Sequence, residues 1–298
     1  MRNNIKYEEV YIMWKITEDR NKRVEIFKDT LAYIKENETL SKAVEKSIKN
    51  TKFYSEDDYG DLPDANKECC FSVSGERTFE SAIRLKKENP EKKVAVLNFA
   101  SAVNPGGGVV KGAGAQEECL CRTSTLYPLL NTKELRKLYY EPNKKTGDNL
   151  HTDDVIYTPG VVICKTDIAF PERIPEQEFM TVDVLTCAAP NLNKKNNKRY
   201  SGDAPIDFDV SIEKQYEIHL KRCKHILSVA ADNDVDILVL GAFGCGAFKN
   251  DPETVARAMH DACEEYSKHF DIINFAISCR NGKSTGNFEA FNRIFSIG

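Results

Sequence analysis

The chain has 298 residues, 41% hydrophobic, 9% aromatic and 30% charged, with 42 Lys+Arg against 46 Asp+Glu for a net charge of −4. This composition describes a globular protein with a substantial core and excludes collagen-like, mucin-like and wholly disordered chains. No apolar run reaches the roughly 18 residues of a membrane helix and the first residues lack a secretory apolar stretch, so we expect a cytoplasmic protein with no membrane partner.

In chain order, the first 60 or so residues read as helix, with Ile26, Phe27, Leu31 and Ile34 on one face. A polar break at 55–68 follows. The predicted division is an N-terminal helical extension over 1–66 and an α/β domain over 67–298. From about residue 70, short β-branched runs alternate with amphipathic helices. Strands are expected at Val94–Asn98, Val155–Tyr157, Val161–Cys164, Val182–Cys187, Ile237–Leu240 and Ile272–Ser278. Helices are expected at Thr78–Lys87, Gln116–Leu130, Ser211–Ala231, Pro252–Lys268 and Asn287–Phe295. The strands VAVLNF and DILVLGAF are nearly continuous apolar runs, the pattern of strands covered by helices on both faces. Asp251 before Pro252 and Glu253 reads as an N-cap with proline at the first helical position, and Asn287 as a cap for the last helix. The stretch 191–205, basic at 194–199, reads as a solvated loop.

Ten cysteines raise the question of a disulfide framework. Several fall inside apolar runs (Cys164, Cys187, Cys223, Cys263, Cys279), where cysteine serves as a small core residue of a reducing compartment. Cys119 and Cys121 are expected to pack in the core too. No CxxC pair occurs and the five histidines are scattered, so no metal is expected. His151 and Asp153-Asp154 read as a turn before a strand.

The informative segment is VAVLNFASAVNPGGGVVKGAGAQEECLCRTSTLYPLL (94–130). A buried strand gives way to Gly106-Gly107-Gly108, which lets backbone approach a ligand and lets peptide N–H groups converge. Taken alone, three glycines fit a flexible turn equally well. A second loop, Gly241-Ala-Phe-Gly244-Cys245-Gly246-Ala247-Phe248, joins another apolar strand to the helix capped by Asp251. Two glycine-rich strand-to-helix turns are the pattern of a phosphate site. Neither loop contains GxxxxGK[ST] or GxGxxG, so nucleotide hydrolysis and nicotinamide chemistry fit poorly. Cys245 is expected to offer its backbone N–H, not its thiol. Beside such a site, Glu117-Glu118 points to acid–base chemistry. Adjacent helical residues diverge by about 100° and so cannot share one task. A glutamate desolvated there would have a raised pKa, suited to protonating a leaving oxygen.

The run GGG-x7-QEE, spanning Gly106 to Glu118, resembles the signature of bacterial-type poly(ADP-ribose) glycohydrolases, a branch of the macrodomain fold. CLCRTSTLYPLL, DVIYTPGVVICKTD, VDVLTCAAPN and LVLGAFGCGAFKNDPETVA follow in that family's order, and RVEIFKDTL resembles its N-terminal extension. The resemblance covers about residues 18–298. It implies a macrodomain-like three-layer α/β/α fold with a mixed sheet, no cofactor, and poly(ADP-ribose) or an ADP-ribosylated macromolecule as partner, with ADP-ribose as product. It further implies that Glu118 is the catalytic acid and then base. Glu117 and Asn104 would hold the distal ribose, Gln116 would shape the site, and Gly106, Gly107, Gly108 and Val109 would line the distal ribose and diphosphate. Gly244, Cys245, Gly246 and Ala247 would form the second diphosphate loop, Phe248 would pack on the ribose, and Asn98 would lie near it. A mono-ADP-ribosyl hydrolase and a non-catalytic ADP-ribose reader are the alternatives, the second disfavoured by the intact Glu117-Glu118 pair. The acidic net charge disfavours sequence-specific nucleic-acid binding, yet it suits a polyanion gripped at one terminal unit by neutral backbone dipoles.

Overall fold

Alternate residues of the central strands feed two separate cores, and this dictates the layering. In β3 (Val94–Phe99), Val94 and Val96 face one apolar cluster while Ala95 and Leu97 face the other. In β6 (Ile237–Leu240), Ile237 and Val239 divide from Leu238 and Leu240 in the same way. That is the two-residue period of a strand buried on both faces. The computed structural model describes the backbone of residues 2–193, 210–279 and 283–295, and side chains from residue 15 onward within these. The stretch 194–205, part of the expected basic loop, lies outside them.

Among the described residues the order is α1 (Arg2–Glu36), α2 (Glu38–Asn50), β1 (Lys52–Tyr54), β2 (Cys70–Ser74), α3 (Thr78–Glu88), β3, α4 (Gln116–Thr123) and α5 (Leu126–Leu130). Short helices α6 (Lys133–Leu135) and α7 (Glu141–Thr146) then flank a π-helical turn. After these come β4 (Val155–Ile163), β5 (Met180–Cys187), α8 (Ile212–Asp232), β6, α9 (Pro252–Tyr266), β7 (Ile272–Ala276) and α10 (Gly286–Phe295). The seven strands form one mixed sheet in the order β1-β4-β5-β3-β6-β7-β2. Only β4 opposes its neighbours, pairing antiparallel with both β1 and β5. One core lies under α8, α9 and α10, and the other under α1, α3, α4 and α5. The three-layer α/β/α architecture is therefore as the resemblance implies.

Several local expectations are corrected. Residues 52–54, inside the segment expected to be purely helical, form β1 and add an edge to the sheet against β4. The two strands expected at 155–157 and 161–164 are one strand, irregular between Thr158 and Val161. The helix expected over 116–130 breaks at Ser124 and Thr125. There the Thr125 amide donates to the Val162 carbonyl and its hydroxyl accepts from the Val162 amide, so β4 takes these groups from the helix ladder. Thr285, not Asn287, caps α10: its Oγ1 accepts from the Phe288 amide at 3.2 Å. Asp251 caps α9 as expected, accepting from the Thr254 amide at 2.8 Å. Of the cysteines expected in the core, Cys279 is only half-buried, beyond the end of β7.

Candidate active site

Five neighbouring strands, β5, β3, β6, β7 and β2, run parallel and end on the same edge of the sheet. Over that edge lies a cavity of 800 Å³ between the two glycine loops. The first loop follows β3. Gly106 and Gly107 both take positive φ, 68° and 58°, a conformation that other L-residues adopt only at a cost. Gly107 has a second reason to be glycine. A Cβ there would lie 2.6 Å from Glu118 Oε1 and 2.9 Å from Glu117 Oε2. The two carboxylates thus occupy the space where a side chain would begin.

Both acids open α4, yet each has its own anchor. Glu117 is 3% exposed, and its Oε2 accepts from the Ser101 amide at 2.8 Å. Its Oε1 faces Asn98 Nδ2 at 3.5 Å. Burial pushes the Glu117 carboxyl up to about 8, with the neighbouring Glu118 adding to the effect and the Ser101 and Gly106 amides opposing it. Glu118 is 7% exposed, and the Gly108 amide donates to its Oε1 at 2.8 Å. Its Oε2 is buried without a protein partner. Buried carboxylate oxygens are almost always paired, so an orphan on a cavity wall marks where a ligand belongs. Gln116 splints the arrangement, accepting from the Phe99 amide at 2.9 Å and donating to the Leu97 carbonyl at 2.7 Å. This ties α4 to the end of β3.

The rest of the first loop is fastened from outside. Arg23 on α1 donates to the Gly112 carbonyl at 3.1 Å, and the Arg20 carbonyl packs where a Gly112 Cβ would stand. Arg122, fully buried, donates to the Ala113 carbonyl at 2.6 Å. The second loop is held from beneath: Asn250 donates to the carbonyls of Pro190 at 2.8 Å and Gly244 at 3.0 Å, and its Oδ1 meets buried His219 at 2.9 Å. Among the described residues, the amides of Gly244, Gly246, Ala247 and Phe248 find no backbone acceptor.

Of the residues expected at the site, Asn104, Gly107, Gly108, Gln116, Glu117, Glu118, Gly244, Gly246, Ala247 and Phe248 line the cavity. Four do not. Val109 is fully buried in the core and its neighbour Val110 reaches the cavity instead. Gly106 faces Tyr127 and Cys121 in the core. Asn98 is fully buried behind Glu117. Cys245 is buried and its amide is spent on the Ala242 carbonyl at 3.2 Å. The first loop also departs from expectation, because its amides do not converge on the cavity. Those of Gly107 and Val109 bond to the Asn104 and Gly106 carbonyls, and that of Gly108 to Glu118. Cys119 is corrected as well: it lies on the cavity wall, its thiol 3.4 Å from Arg77 and 3.3 Å from Arg122, while Cys121 is in the core.

Sequence reasoning missed Ser101, Phe99 and the rim pair Arg77–Asp167, 3.3 Å apart. Ser101 acts through its backbone, which no side-chain pattern reveals. A trio that could hold a cation, His260, Asp261 and Glu264, does not line the cavity.

A parallel-stranded α/β scaffold carrying two buried carboxylates over a glycine-lined cleft defines a site for acid–base chemistry on a bound ligand, and known proteins narrow it. The family profile of the microbial-type PARG catalytic domain matches residues 21–166. The poly(ADP-ribose) glycohydrolase of Deinococcus radiodurans in complex with ADP-ribose is 31% identical, with 85% of this chain and 97% of that one covered, at a TM-score of 0.72. The enzyme of Thermomonospora curvata bound to the inhibitor ADP-HPD is 27% identical, with 92% and 99% covered, at a TM-score of 0.74. No curated protein sequence matches the chain. The chain belongs to the bacterial-type poly(ADP-ribose) glycohydrolase family.

Proposed function

We propose that the protein hydrolyses the ribose–ribose glycosidic bonds of poly(ADP-ribose) and releases ADP-ribose, with Glu118 as the acid and then the base. The observation that carries the assignment is the state of Glu118: one oxygen fixed by the Gly108 amide, the other buried and unpaired on the wall of the cavity. Such an oxygen can hand a proton to the departing 2′-oxygen of the adjoining adenosine as the C1″–O2′ bond breaks. The oxocarbenium-like ribose is then attacked by water, and Glu118 takes the water's proton, so one carboxylate serves both halves of the reaction. Both oxygens of Glu117 face donors, which suits it to orienting the distal ribose together with Asn104. Burial raises the Glu117 pKa, so Glu117 itself holds a proton at neutral pH.

The open amides of the second loop and the positive φ of Gly244, 77°, suit a diphosphate. No helix among the described residues is long and apolar enough to cross a membrane. The ten cysteines are all free, in keeping with a reducing compartment, and we place the protein in the cytoplasm.

The test is ADP-ribose release from purified poly(ADP-ribose) by the wild type and by Glu118→Gln. The variant should lose about 100- to 10,000-fold in turnover while binding ADP-ribose with near-native affinity. Wild-type turnover in Glu118→Gln would refute the assignment.

A further inference from the structure

A second, smaller cleft of 90 Å³ opens beside the acid pair. It shares Ser101 and Phe248 with the main cavity and is otherwise walled by Ala102, Val103, Asn143, the 147–149 turn, His151 and Asn191. Ser101 is the residue whose amide holds Glu117, so the cleft begins beside the acids. A glycosidic bond has two sides. If the main cavity holds the ADP-ribose unit being released, the sugar on the other side of the bond must lie past Ser101 and Phe248.

The cleft is built around His151. Its φ of 59° is left-handed, a conformation uncommon outside glycine that histidine, like asparagine and aspartate, adopts more readily than most residues. The ring stands 6.2 Å from that of Phe248, and its Nδ1 is buried without a protein partner. The backbone beneath is pinned: the His151 carbonyl accepts from Arg222 at 3.2 Å and the Leu150 amide donates to Asp148 Oδ1 at 2.9 Å. Burial, with Arg222 nearby, lowers the ring's pKa to about 4, so it is a neutral imidazole at physiological pH. A neutral ring with one unsatisfied nitrogen is suited to a hydroxyl, and the cleft admits a sugar ring, not a whole nucleotide.

We propose that this cleft is a subsite for the leaving side of the bond: it receives the adenosine ribose whose 2′-oxygen departs, with His151 Nδ1 hydrogen-bonded to a ribose hydroxyl and Phe248 between the two sugars. The inference rests on the glycohydrolase reading above.

The experiment compares wild type with His151→Gly, which removes the ring and relaxes the turn, on two substrates. One is poly(ADP-ribose). The other is ADP-ribose bearing a nitrophenyl group on its C1″ oxygen, whose leaving group carries no ribose. His151→Gly should lower kcat/KM on the polymer about tenfold, the loss of roughly one hydrogen bond, and leave the nitrophenyl substrate and the Kd for ADP-ribose unchanged. Equal losses on both substrates, or no loss on the polymer, would overturn the subsite. A wild type that releases nothing from the polymer refutes the glycohydrolase reading itself, and the subsite falls with it.

Discussion

The two glycine loops occupy matching places, each between a parallel strand and a helix, yet they spend their backbone in opposite ways. The first uses its amides inwardly: Gly107 and Val109 bond within the loop and Gly108 holds Glu118. The second leaves the amides of Gly244, Gly246, Ala247 and Phe248 without backbone partners among the described residues. Glycine therefore does different work in each. In the first loop it makes room for two carboxylates, and in the second it bares dipoles for an anion. A run of glycines in a sequence does not say which of these it will do.

Four substitutions press on that contrast. Gly107→Ala should have the largest effect, because its Cβ would collide with both carboxylates and the φ of 58° resists it. ADP-ribose release should fall by at least about a hundredfold, since catalytic groups displaced by an ångström lose that much. Near-native turnover would mean that the carboxylates do not depend on this close approach. Glu117→Gln probes the cost of the inward-facing loop. The folded protein keeps Glu117 protonated up to about 8, against an ordinary value of 4.5. Its contribution to stability is complete below about 4.5 and is lost as pH rises towards 8. Urea melts at pH 5, 7 and 9 should therefore show wild type losing ground to Glu117→Gln by on the order of a few kcal/mol. A constant difference would remove the buried proton from the account. The smallest effect belongs to the second loop. Gly244→Ala should weaken ADP-ribose binding about tenfold, because its Cβ would meet Ala189 at 2.6 Å and φ is 77°. Gly246→Ala projects into open space and should stay within about twofold by calorimetry. The reverse order would mean that the loop's side, not its amides, meets the ligand.

Much of this fold is readable in the amino-acid order because the central strands are covered on both faces. Ile237–Leu240 is apolar throughout and Val94–Phe99 in all but Asn98, and such runs are conspicuous. The edge strands at Lys52–Tyr54 and Cys70–Ser74 are short and contain few fully buried residues, so they leave no such trace. At the site, the same asymmetry holds between side chain and backbone. Glu117, Glu118 and Gln116 announce themselves by chemical type. The Ser101 amide that anchors Glu117 does not, and neither does the register that turns Val109 inward and Val110 outward. His151 is legible as a turn residue, while its unpaired nitrogen beside Phe248 emerges only once residues nearly one hundred apart are brought together.

The clasp between α1 and the first glycine loop has an entropic cost. Arg23 and Gly112 are 89 residues apart in the chain, and their hydrogen bond, with the Arg20 backbone packed against Gly112, backs the segment leading into the acid pair. Contacts of such sequence separation form after local ones, because the intervening chain must first surrender its freedom. The clasp therefore costs more loop-closure entropy than the anchors of the acid pair itself, since the Gly108 and Ser101 amides lie only 10 and 16 residues from the glutamates they hold.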